Sequence, residues 1–219
     1  PHHFRQGNQM VKILEVNPQA PEMATVMKAA AALRGGKLVV YPTETVYGLG
    51  ADAFSDEAVA KVFEAKARPL EDPISVAVSS LEMAQTAGVV APTAEPLFEK
   101  FLPGPLTVIV KAKPAVSKLV SAGTGKVGIR IPDHRVTLKL IELVGGPITS
   151  TSANLSGEPA PPTARAAIEQ LGDKVDVALD SGKCRFCTPS TVVDATAATP
   201  KVIREGPISA KKIAAALKG

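Results

Sequence analysis

Apolar positions set out the elements of this chain before any motif is considered. Residues 11–16 read as a short opening strand. Met23, Val26, Met27 and Ala30 then recur at i, i+3, i+4 and i+7, predicting a helix over about Pro21–Leu33. Pro21 suits its first turn and Gly35-Gly36 its stop. The apolar run Leu38–Tyr41 predicts a buried strand. Ser55 caps a helix over 56–66, with Asp56 and Glu57 against its dipole and Val59, Val62 and Phe63 on its apolar face. Pro69 forces the chain out of helix.

The alternation continues. Ile74–Val78 predicts a strand, and Ser79 with Glu82 has capping-box spacing for a short helix. A helix near 94–102 ends at Pro103-Gly104-Pro105, followed by strand Leu106–Val110, a short helix near 115–120 and strand Val127–Ile131. Helix 134–144 stops at Gly145-Gly146, and the hydroxyl-rich run Thr149–Asn154 leads into a proline-rich loop. Thr163 caps a helix to Leu171; strands follow at Val175–Leu179, Thr191–Asp194 and Val202–Arg204. Ser209 caps a last helix to about Lys218. Alternating strands and helices, without a repeat or long linker, predict one α/β domain over 11–219 with a twisted mixed sheet flanked by helices. Residues 1–10 are set apart as a tail, native or added, with Met10 an alternative start.

Within this pattern Leu38–Gly50, LVVYPTETVYGLG, is where a strand ends and polar groups begin. Pro42 stops the ladder, and Thr43, Glu44, Thr45 and Tyr47 follow on a stretch opened by Gly48 and Gly50. Ligands in open α/β sheets sit beyond the carboxyl ends of strands.

Composition changes the picture modestly. The chain has 219 residues, 45% of them hydrophobic and only 4% aromatic, so the core is expected to be aliphatic. No apolar run approaches the roughly 20 residues of a membrane span, and no secretory signal is visible, so a soluble cytoplasmic protein is expected. The net charge of +4 decides nothing by itself. Between Pro105 and Lys139, however, seven basic residues face a single acidic one, Asp133, which favours an anionic ligand. Cys184 and Cys187 form a lone C-x-x-C with too few partners for a structural zinc site. Incidental thiols are the plainer reading, with a redox or metal role left open.

Polar clusters fall at element ends: Thr43–Tyr47, Lys66/Arg68, Lys126/Arg130, Ser150/Ser152/Asn154, and more loosely Ser190/Arg204. Hydroxyls and fixed cations with few carboxylates suit phosphate and carboxylate binding. A His-activated serine is disfavoured, because His134 is the only candidate base. Gly123-Thr124-Gly125-Lys126 lacks P-loop spacing and precedes a strand, and no G-x-G-x-x-G opens a helix.

As an ordered set the motifs YPTETVYGLG, KARP, LPGPLTVIV, VGIRIPDH, TSANLSG and PSTVVD, with Ile203-Arg204, resemble the YrdC-like threonylcarbamoyl-AMP synthases over nearly all of 33–208. The family's K-x-R and S-x-N signature falls on Lys66/Arg68 and Ser152/Asn154. The resemblance implies a YrdC-like fold with a concave, positively charged cavity. It also implies a reaction: L-threonine, bicarbonate and ATP give threonylcarbamoyl-adenylate, pyrophosphate and water. The product supplies a tRNA threonylcarbamoyl-transferase complex that makes N6-threonylcarbamoyladenosine. Carried over, Thr45, Arg130, Ser150 and Ser190 would hold threonine. Lys66, Arg68, Asp72, Lys126, Ser152, Asn154, Ala160 and Arg204 would serve ATP, with Lys66 and Arg68 as catalytic cations. Mg²⁺ would accompany ATP, with no dedicated metal site. Family members often carry a polar residue where Ala77 stands, which puts one threonine contact in question. The alternatives are the carbamoyl-adenylating domain of hydrogenase maturation and a non-catalytic RNA-binding module; weak binding of double-stranded RNA stays open.

Overall fold

The computed structural model describes residues 3–4 and 11–218, so the tail proposed for 1–10 lies outside the described residues except for the backbone of a two-residue strand, β1 (His3–Phe4). That strand pairs antiparallel with β2 (Val11–Glu15). Helix α1 (Met23–Arg34) follows, then β3 (Val39–Tyr41), β4 (Gly48–Gly50) and α2 (Asp56–Lys66). Next come β5 (Ser75–Ala77), α3 (Leu81–Ala87), β6 (Gly88–Val89), α4 (Glu95–Phe101) and β7 (Leu106–Ala112). The chain continues through α5 (Lys118–Ser121), β8 (Lys126–Arg130), α6 (Arg135–Val144), β9 (Ile148–Ser152) and α7 (Ala164–Leu171). It ends with β10 (Val177–Asp180), β11 (Thr191–Asp194), β12 (Lys201–Arg204) and α8 (Ala210–Lys218).

The strands form one sheet in the order β1-β2-β10-β3-β4-β9-β5-β8-β7-β11-β12, with β6 on the end of β7. The sheet is mixed: β10 lies parallel to β2 and β3, whereas β4, β9 and β5 succeed one another antiparallel. Strand periodicity splits the core between the two faces. Val39 and Tyr41 pack with Val26 and Leu33 of α1 and Leu140 and Ile141 of α6. Val40 and Leu49 face the other way, toward Val59, Val62 and Phe63 of α2 and Ile168 of α7.

Side-chain caps fix several helix starts. Ser55 accepts from Ala58 N–H and Thr163 from Ala166 N–H, as the sequence predicts. For α3 the cap is Ser80, one residue later than the expected Ser79, and its hydroxyl accepts from Met83 N–H. The helix expected near 115–120 is a single turn, Lys118–Ser121, capped by Ser117, whose hydroxyl accepts from Leu119 N–H.

Strands β1, β4, β6 and β9 escape a sequence reading, and two of them, β4 and β9, position the site. In sequence β4 reads as part of a glycine-bearing loop and β9 as a hydroxyl-rich run. Neither is apolar and alternating, so neither carries a local strand signal; long-range pairing makes them, Val39 with Gly50 and Gly48 with Ser152. Glycine is required in β4 because the strand crosses the Tyr41 ring. A Cβ on Gly48 would stand 2.7 Å from Tyr41 Cζ. The Tyr41 hydroxyl in turn donates to the Thr149 carbonyl at 2.8 Å, pinning β9 against β3 and β4. Strand ends carrying Tyr47, Ser150 and Ser152 are thereby brought to one place.

Candidate functional site

That place is a cavity of about 210 Å³. Its floor and walls come from the β3–β4 connection (Thr43, Thr45, Tyr47), from β9 (Ser150, Thr151, Ser152), from β7 and β8 (Thr107, Arg130), and from the approach to β11 (Pro189, Ser190). Arg68 and Arg204 close it from the sides. No carboxylate stands among its lining residues.

Arg130 is 5% exposed and sits at the end of β8. Its Nη1 donates to Thr45 Oγ1 at 2.7 Å, and its Nη2 forms an ion pair with Glu44, itself 3% exposed. Thr45 is oriented in turn by the Thr43 hydroxyl, 2.9 Å away. The Ser190 hydroxyl lies 2.8 Å from that of Thr107, and the Ser190 carbonyl accepts from Arg204 Nε and Nη2 at 3.1 and 2.8 Å. Burial, and then the charge of Arg130, push the Arg204 guanidinium down from its ordinary value, so two cations converge here.

Local backbone geometry explains how adjacent cations part company. Ala67 ends α2 in the left-handed region at φ 48°. This turn leaves Lys66 on the buried side and sends Arg68 to the cavity, where its Nε and Nη2 donate to the carbonyls of Asp72 (3.1 Å) and Pro73 (2.9 Å). Lys66 is 1% exposed, and its Nζ donates to the carbonyls of Ser152 and Asn154 (2.8 Å for Asn154). It therefore braces the S-x-N segment from behind and does not line the cavity. Burial first, then the charge of Arg68, lower its ammonium to about 7. A neutral amine has two N–H groups for those two carbonyls.

A pH dependence follows. The unfolded chain keeps the Lys66 proton to its ordinary 10.5, whereas the folded chain sheds it near 7. Unfolding takes up a proton between those values, so this residue's contribution to stability rises with pH above 7. Urea denaturation of wild type against Lys66→Met at pH 6 and pH 9 is expected to favour wild type increasingly at pH 9, on the order of 1 kcal/mol per pH unit. A difference that is flat in pH would show that Lys66 stays charged in the fold.

Of the residues singled out in the sequence, Thr45, Arg68, Arg130, Ser150, Ser152, Ser190 and Arg204 meet at the cavity. Lys66, Asp72, Lys126, Asn154 and Ala160 do not line it. Lys126 is exposed and turned across the sheet to Asp194, 2.9 Å away. Asp72 contributes its carbonyl to Arg68, its side chain being exposed. Asn154 Nδ2 donates to the carbonyls of Leu155 and Glu158, shaping the turn after β9, while its Oδ1 is enclosed without a hydrogen-bond partner. Ala77, 1% exposed, pairs in register with Arg130 and with Ile148 beneath the site. Thr107 and Ser75 are lining residues that sequence reasoning missed. The signal available for Thr107 is a lone hydroxyl in the apolar strand LTVIV.

His134 stands away from this cavity, in a second hollow of about 380 Å³ lined also by Glu44, Ser181 and Cys184. Its Nε2 is 3.3 Å from the Ser181 hydroxyl, and burial lowers its pKa to about 4 against the opposing charge of Asp133. Cys184 is buried, and burial, then Cys187, raise its thiol to about 12; exposed Cys187 donates to the Cys184 carbonyl at 3.2 Å. Both cysteines are free. Among the described residues no helix is long and apolar enough to cross a membrane.

Comparison with known proteins shows the same fold in solved structures. The Sua5/YciO/YrdC family model, described as telomere recombination, matches residues 31–206. A relative from Pyrococcus abyssi named threonylcarbamoyl-AMP synthase is 40% identical over 186 residues, which is 84% of this chain and 55% of that protein. This chain thus spans about half the length of that relative. The crystal structure of P. abyssi Sua5 complexed with L-threonine superposes with a TM-score of 0.90 at 38% identity, covering 93% of this chain and 60% of the other. A full-length HypF in phosphate- and nucleotide-bound form superposes with a TM-score of 0.73 at 27% identity, over 83% of this chain and 29% of that one. The chain belongs to the Sua5/YciO/YrdC family.

Proposed function

We propose that this protein is a threonylcarbamoyl-AMP synthase, a nucleotidyltransferase joining L-threonine, bicarbonate and ATP into threonylcarbamoyl-adenylate with release of pyrophosphate and water. The observation that carries the reading is a cavity lined by hydroxyls and three arginines, with no carboxylate among its lining residues. Such a cavity is cationic and made for anions. Two anionic groups must meet in this reaction, an amino-acid carboxylate and a triphosphate. Arg130 with Thr45, Ser150 and Ser190 takes the first, and Arg68 and Arg204 with Ser152 take the second. The volume is below the roughly 300–1,000 Å³ of drug-sized pockets, so threonine and the reacting phosphate occupy the interior and the nucleoside lies across the mouth.

The chemistry asks for placement more than for covalent help. The threonine amine condenses with bicarbonate, forming a C–N bond and losing water. A carbamate oxygen then attacks the α-phosphorus in line, and the bond to the bridging oxygen of pyrophosphate breaks. Arg68 and Arg204 neutralise charge moving onto the phosphates. Among the described residues no three His, Cys, Asp or Glu side chains gather to hold a metal. Mg²⁺ is assigned to ATP, where phosphates and water would hold it, with no step routed through it. The product is a reactive mixed anhydride, suited to a tRNA-modifying transferase complex.

Likeness to HypF supports one rival, in which carbamoyl phosphate replaces threonine and bicarbonate. Pyrophosphate release separates the two. Release is expected to require L-threonine and bicarbonate together, with L-serine about ten- to two-hundredfold poorer for want of one methyl. Release that is indifferent to the amino acid, or driven by carbamoyl phosphate, would overturn the assignment.

A further inference from the structure

Glu44 touches none of the cavity's open space, yet it organises the side chain at the cavity's centre. One carboxylate oxygen pairs with Arg130 Nη2 and the other accepts the Asp133 N–H at 2.8 Å. Its main-chain carbonyl accepts the Phe186 N–H, also at 2.8 Å. One residue thus ties the β3–β4 connection to the end of β8 and to the loop that leads into Ser190. With Thr45 Oγ1 on Nη1, the Arg130 guanidinium is gripped at both terminal nitrogens.

Two features argue against a purely architectural pair. Buried donors that only hold a fold together are as a rule matched, whereas Arg130 Nε is enclosed without a hydrogen-bond partner among the described residues. The pair also lies at a cavity wall instead of deep between layers, since Arg130 itself lines the cavity. Thr45 and Glu44 each take one N–H of a terminal nitrogen, so the second N–H of Nη1 and of Nη2 remains, in a fixed plane, for an acceptor at the cavity wall.

We propose that Glu44 is a positioning residue for substrate recognition: it acts through Arg130, setting the plane of the guanidinium so that it selects the amino-acid carboxylate. The proposal rests on the reading that Arg130 receives that carboxylate. Its consequence is discrimination. Wild type binds L-threonine far better than L-threoninol, which keeps the side chain and amine and lacks the carboxylate. Without Glu44 that preference shrinks, because the plane of Arg130 is no longer set.

The test is calorimetric titration of L-threonine and, separately, of L-threoninol and ATP into the full chain, for wild type, Glu44→Gln and Glu44→Asp. Glu44→Gln is expected to weaken threonine about ten- to hundredfold, leaving threoninol and ATP within a few fold of wild type. Glu44→Asp keeps the charge that compensates Arg130 and shortens the reach by one methylene; it is expected to lie between. It decides the matter if Glu44→Gln fails to fold. A threonine-to-threoninol preference at the wild-type level in the folded variants overturns the proposal. Equal loss for threonine, threoninol and ATP also overturns it, since that is what general disorder of the site produces. Wild type that binds ATP but shows no preference for threonine over threoninol overturns the underlying reading of Arg130, and this inference with it.

Discussion

Arg68→Ala is expected to lower kcat/KM for pyrophosphate release about a hundred- to a thousandfold, the loss seen when a preorganised charge is withdrawn from a developing anion. Its effect on the fold is expected to be small. The guanidinium is partly exposed and, among the described residues, bonds to the carbonyls of Asp72 and Pro73 alone. Losing such contacts costs about 1 kcal/mol each, a few degrees of melting temperature in a chain of this size. The two scales are far enough apart to separate roles. Turnover near wild type with only a lowered melting temperature would make Arg68 a brace for the loop after α2. Burial, as the larger cause, lowers its pKa against the opposing charge of Asp72. That cost is consistent with a cation retained for a ligand.

The largest stability effect is expected from Arg130→Met. It strands Glu44, 3% exposed, whose carboxylate then keeps, among the described residues, the Asp133 N–H. Breaking a buried pair from one side costs about 3–5 kcal/mol, because the surviving charge stays desolvated. Adding Glu44→Gln removes that charge and is expected to recover much of the loss, since neutral replacements of buried pairs are tolerated. Urea denaturation of the two single variants and the double variant closes the cycle. Additive losses would mean that the pair is not coupled, and that the carboxylate is satisfied elsewhere.

How much of this was legible in sequence depended on range. The helices over 23–34, 56–66 and 164–171 announce themselves through local periodicity and stops, the last two also through the caps Ser55 and Thr163. Strand β11 does so as well, bounded by Pro189 and the turn after Asp194. Strand β4 does not, because Gly48-Leu49-Gly50 has no preference of its own and exists as a strand only where Tyr41 demands close approach. In the site, motif order brought Thr45, Arg130 and Ser190 to notice. The contact between Glu44 and Arg130 spans 86 residues, and spacing cannot reveal it. Nor could spacing tell that Lys66 and Arg68, two residues apart, would face opposite sides. That depends on the left-handed turn at Ala67, a residue type with no preference for it. In sequence Lys126 and Arg130 form one cationic cluster. Along a strand they share a face, but the long Lys126 side chain pairs with Asp194 instead of reaching the cavity.

The identity of the adenylate decides whether this protein is a threonylcarbamoyl-AMP synthase. Incubation with ATP, Mg²⁺, L-threonine and ¹³C-bicarbonate, followed at once by mass spectrometry, reads it directly. The account predicts one adenylate per pyrophosphate released, carrying both threonine and a single ¹³C between the amine and the phosphate. An adenylate of threonine without the labelled carbon, or pyrophosphate release with no threonine-containing adenylate, would contradict it.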